Sequence, residues 1–155
     1  MSAQSLAIIS FLHDLFAVTW IGGMIAVGLT FRPTVVEVLG QTPQTKKVLS
    51  TMQKRQSTLA YISMVGLAIT GAIIAKSSAN FLGLFRFGNP YANALSTKHL
   101  LVIAMVIIAL IRTQVLSKGQ STPQRSKLSA SLLYLNIVLG IIVLILSSFC
   151  TVLAG

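Results

Sequence analysis

His13 and His99 are the only histidines of this 155-residue chain, and they are its best candidates for chemistry. Each belongs to a long apolar run. His13 sits in FLHDLFAVTWIGG (Phe11–Gly23) and His99 in TKHLLVIAMVIIALIR (Thr97–Arg112). Imidazole binds metals while neutral. A neutral ligand avoids most of the cost of placing charge in lipid. Two histidines from facing helices can supply the axial ligands of a b-type haem or part of a copper site. Copper(I) also calls on sulfur, for which Met24, Met64, Met105 and the lone Cys150 are available. The plain alternative for each histidine is a hydrogen-bonded or interfacial residue, and for each sulfur simple packing.

Around His13, helical spacing puts Trp20 at i+7 and Met24 at i+11 on the same face, with Phe16 and Ala17 beside them. Gly22 and Gly23 thin the helix. They let another helix, or a flat macrocycle, approach the backbone. Trp20 and Gly23 are therefore expected to shape a cofactor pocket, or else to serve helix packing alone. Asp14 is rotated about 100° from His13 and points elsewhere. It is expected to pair with Lys98 or to line a polar mouth. Asn136 is expected to hydrogen-bond between helices.

The elements that must hold these residues are membrane helices. Charged residues make up 9% and hydrophobic ones 54% of the chain, whereas soluble domains carry about 25% charged residues. Four stretches meet the ~20-residue apolar length of a span, at about 5–30, 59–76, 97–116 and 128–153. The expected fold is all-α: a single domain over 1–155, an integral membrane four-helix bundle running up-down-up-down. The net charge of +10 lies mostly between the spans, which reads as membrane orientation rather than nucleic-acid binding. Arg32, Lys46, Lys47, Lys54, Arg55, Arg112, Lys118, Arg125 and Lys127 flank the first and third connections; only Lys76, Arg86 and Lys98 flank the second. The positive-inside rule then puts both termini and the middle connection on the outer side.

That orientation places both histidines in the outer half of the bilayer. With His13 about eight residues into its span and His99 two or three, their depths differ by only ~8 Å. The connection SSANFLGLFRFGNPYANALS (77–96), with four aromatics, is expected to lie across the outer mouth as an interfacial segment. Residues 32–58 are expected to extend the first two helices past the bilayer, and KGQSTPQRSK (118–127) to form a polar turn. One cysteine excludes an intrachain disulfide and a CxxC motif. The first apolar run is too long, and lacks the basic start, for a signal peptide.

LHDLFAVTWIGGMIAVGLTFRPTV resembles the first span of the copper-resistance D (CopD-type) membrane domain, with a histidine, a tryptophan seven residues on and a glycine pair. KRQSTLAYISMVGLAITGA is similar to its second span and TKHLLVIAMVIIALIR to its third. In LNIVLGIIVLIL, Asn136 stands where such proteins often carry an acidic residue. The layout is also similar to HemJ-type protoporphyrinogen oxidases, where His13 and Lys98 would be the matching positions. The resemblance implies a multi-pass protein of a prokaryotic cytoplasmic membrane. The main reading is a small haem b protein with His13 and His99 as axial ligands. It would transfer electrons between a quinone or enzyme and a redox partner, a membrane oxidoreductase being compatible. The alternatives are CopD-type copper uptake or delivery, HemJ-like oxidation, and a cofactor-free subunit of a membrane complex. Self-association is compatible with all of them.

Overall fold

A computed structural model describes residues 1–116 and 122–154, with the side chains of 115 and 116 excepted. The described residues contain no strand, and four helices are long and apolar enough to cross a membrane: α1 (Ala3–Leu39), α2 (Pro43–Ser77), α3 (Pro90–Gln114) and α4 (Pro123–Leu153). The chain is a multi-pass, all-α membrane protein. Large apolar side chains such as Phe11, Val18, Ile62, Val65 and Ile69 stay exposed on the helices, as contact with lipid tails requires.

All four helices start before the expected spans, and α1 and α2 also run past their expected ends, because caps, not hydropathy, terminate helices. The Ser2 hydroxyl accepts from the Ser5 backbone N–H at 3.2 Å and starts α1. Gly40, at φ 62°, ends the same helix, in a conformation that costs glycine little. The long polar connection shrinks to Gly40–Thr42. Thr42 Oγ1 accepts from the Thr45 backbone N–H, and Thr45 Oγ1 donates to the Gly40 carbonyl at 2.7 Å. Asn89 caps α3 by accepting from the Ala92 N–H at 2.6 Å, with Pro90 in the first turn. The third helix thus starts at Pro90 instead of Thr97. His99 lies well inside it, not two or three residues from its start. The expected turn at 118–127 is helical from Pro123 onward, and its residues 118–121 lie outside those described.

α1 is not a uniform α-helix. Val18–Gly22 and Ala26–Phe31 are π-helical. The second stretch leads into Pro33, which has no N–H and whose ring would clash with the carbonyl four residues back. A widened turn moves that carbonyl aside. Residues Ile111–Leu116 at the end of α3 are also π-helical.

The chain divides into two compact units, Met1–Ile74 and Ala75–Gly155. In the first, α1 and α2 run antiparallel. His13 meets Thr70, Phe16 meets Gly66 and Gly23 meets Gln56. In the second, α3 and α4 also run antiparallel. Lys98 donates to Ser147 Oγ at 2.9 Å, Asn136 Nδ2 to the Met105 carbonyl at 3.3 Å and Arg112 Nε to the Ser129 carbonyl at 3.1 Å. Asn136 is fully buried and makes the interhelical bond expected of it.

Candidate functional site

In the first unit, His13 Nδ1 lies 2.9 Å from Thr70 Oγ1. Thr70 Oγ1 also donates to the Gly66 carbonyl of its own helix at 2.7 Å. A hydroxyl has one proton. With that proton committed to Gly66, Thr70 accepts from His13, so His13 Nδ1 carries a hydrogen. The ring reaches Thr70 because residue 71 is glycine. A Cβ there would come within 3.1 Å of His13 Cε1. One turn further in, Gly66 gives the same room to the ring of Phe16. In the sequence, Thr70 and Gly71 stand out only as the Thr-Gly pair of the second span, and Gly66 carries no signal. Their place beside His13 and Phe16 is visible only once the two helices are paired.

Trp20 is 1% exposed, within the first π-helical stretch. Its Nε1 has no hydrogen-bond partner among the described residues, and the same holds for Gln56 Nε2. Gly23 is the place where the Gln56 carboxamide lies against α1, since a Cβ on Gly23 would run into it. Gly23 therefore serves close contact between helices. Gly22 has only Val18 of its own helix nearby. Asp14 is exposed on α1.

In the second unit, His99 Nδ1 lies 2.7 Å from the Leu95 carbonyl. A carbonyl only accepts, so Nδ1 again carries a hydrogen. The Phe85 ring meets the imidazole edge-on, with centroids 6.1 Å apart and planes at 70°. Cys150 is buried with Ala75, Tyr91 and Leu95 in an apolar cluster, which accounts for it as a packing residue. The expected aromatic connection is a folded clasp: Asn80 Nδ2 donates to the Leu153 carbonyl at 2.9 Å, Asn89 Nδ2 to the Asn80 carbonyl at 3.0 Å and Ser96 Oγ to the Arg86 carbonyl at 2.8 Å.

The two histidines thus share one arrangement, Nδ1 against an oxygen, each in its own unit. In both, an acceptor engages Nδ1–H and leaves Nε2 on the far side of the ring from that hydrogen bond, as the second nitrogen of ligating histidines is usually supported. Among the described residues, no group of three or more His, Cys, Asp or Glu side chains is gathered to hold a metal ion.

The family model described as Copper resistance protein D (CopD) matches residues 50–150. That stretch includes Thr70, Lys98, His99, Asn136 and Cys150, while His13 and Trp20 precede it. No curated protein and no solved structure matches the chain.

Proposed function

Because this chain belongs to the copper resistance protein D family, we propose that it handles copper as cargo, taking the ion up at the membrane or delivering it there. The observation that carries the reading is the family match; the state of both histidines supports it. Imidazole Nε2 atoms are suitable copper ligands. With Nδ1 engaged by Thr70 in one case and by the Leu95 carbonyl in the other, Nε2 is the nitrogen each ring would offer to a cation. We place both termini and the 78–89 connection on the outer side, on the charge pattern of the connections, and the protein in a prokaryotic cytoplasmic membrane.

The family match lends support to copper and none to a bis-histidine haem. The test is radioactive copper accumulation in proteoliposomes, alongside the visible spectrum of the same preparation. Wild-type vesicles are expected to exceed empty ones, with His13→Ala and His99→Ala each cutting the rate at least several-fold. Accumulation equal to that of empty vesicles would sink copper handling. A Soret band lost in His13→Ala would replace it with haem.

A further inference from the structure

Phe85 is the one non-glycine residue with positive φ among those described, at 57°. A bulky side chain there crowds its own backbone, and glycine, asparagine or aspartate are the usual occupants. Core burial does not explain the choice, because Phe85 is 48% exposed. The turn is not left loose either. The next residue, Arg86, is tied by its carbonyl to Ser96 of α3, one turn before His99, and the Gly88 N–H donates to Asn93 Oδ1 at 3.1 Å. The conformation delivers the Phe85 ring edge-on to His99.

We propose that Phe85 is a positioning residue for His99. The Leu95 carbonyl engages Nδ1, and the Phe85 ring fixes the plane of the imidazole and so the direction in which Nε2 faces. Neither restraint suffices alone. A single hydrogen bond at Nδ1 leaves the imidazole able to swing about it, and edge-to-face contact with an aromatic ring resists that swing. Strain accepted at a site of ligand orientation is a recurrent arrangement. The inference rests on the copper reading for its purpose, but not for its geometry.

The experiment compares wild type with Phe85→Asn, which suits positive φ and lacks the ring, and Phe85→Trp, which keeps an aromatic ring. Three quantities are read on the full chain in nanodiscs: the melting temperature without copper, copper(I) affinity by competition with a chromophoric chelator, and the His99 ring signals of ¹⁵N-histidine-labelled protein. Phe85→Asn is expected to melt at or above wild type, to bind copper(I) about tenfold more weakly, and to shift or broaden the His99 signals. Phe85→Trp, which can still place an aromatic ring against His99, is expected to keep most of the affinity that Phe85→Asn loses. Unchanged His99 signals in Phe85→Asn would overturn the positioning role, whatever copper does. Shifted signals in a protein that binds no copper would leave the geometry standing and remove the copper reading.

Discussion

His13 donates its Nδ1 proton to Thr70 Oγ1 across 2.9 Å, joining α1 to α2. Thr70 passes the hydrogen-bond chain on to the Gly66 carbonyl. The relationship fixes which nitrogen of an imidazole in an apolar helix faces Thr70, and it makes Thr70 a support that can be removed by itself.

Thr70→Val keeps the shape and deletes the hydroxyl. His13 Nδ1–H then loses this acceptor. The expected stability cost is about 0.5–1.5 kcal/mol, read by thermal unfolding in detergent. Copper(I) affinity is expected to fall about tenfold, as for other losses of a ligand's supporting partner. Thr70→Ser should retain both. Equal affinity in Thr70→Val and wild type would separate His13 from the copper route.

Gly66→Ala sets two effects against each other. Alanine favours a helix by about 0.5–1 kcal/mol over glycine. The new Cβ, however, would overlap the Phe16 ring, and overpacking costs about 1–3 kcal/mol. The clash outweighs the propensity, so the melting temperature should drop. Adding Phe16→Leu should restore much of it, because the overlapping ring is gone.

Asn136→Ala removes the Nδ2 bond to the Met105 carbonyl from a fully buried position. Interhelical bonds in membranes contribute about 0.6–1.7 kcal/mol, and the space left by the carboxamide adds to the loss. A clear fall in the melting temperature of the purified protein is expected, with both histidines still in place. No change would mean that this bond adds nothing measurable to the pairing of α3 with α4, which also has the Lys98–Ser147 and Arg112–Ser129 bonds.

Cys150→Ala tests whether the only thiol is a ligand or a packing residue. Its apolar neighbours Ala75, Tyr91 and Leu95 point to packing. Copper(I) affinity should stay within about twofold of wild type, and stability should fall by about 1 kcal/mol for the small lost volume. A tenfold loss of affinity at full stability would make the thiol a ligand.

Composition and hydropathy alone made the all-α membrane class legible, since four apolar runs of sufficient length have few other uses. The isolation of His13 and His99 singled them out for the same reason: ionisable groups are rare where lipid replaces water. The family was legible in the spans themselves, from the second to the fourth. What the sequence left undecided were the helix ends, set by single capping bonds at Asn89 and at Thr42 and Thr45. It also left undecided the partners of each histidine. Thr70 lies 57 residues from His13, and Phe85 meets His99 only through a turn whose backbone conformation no periodicity announces. Hydrophobic patterning reports which residues enter the bilayer. Which nitrogen keeps its proton depends on pairings a few ångströms long, and only the tertiary structure brings those atoms together.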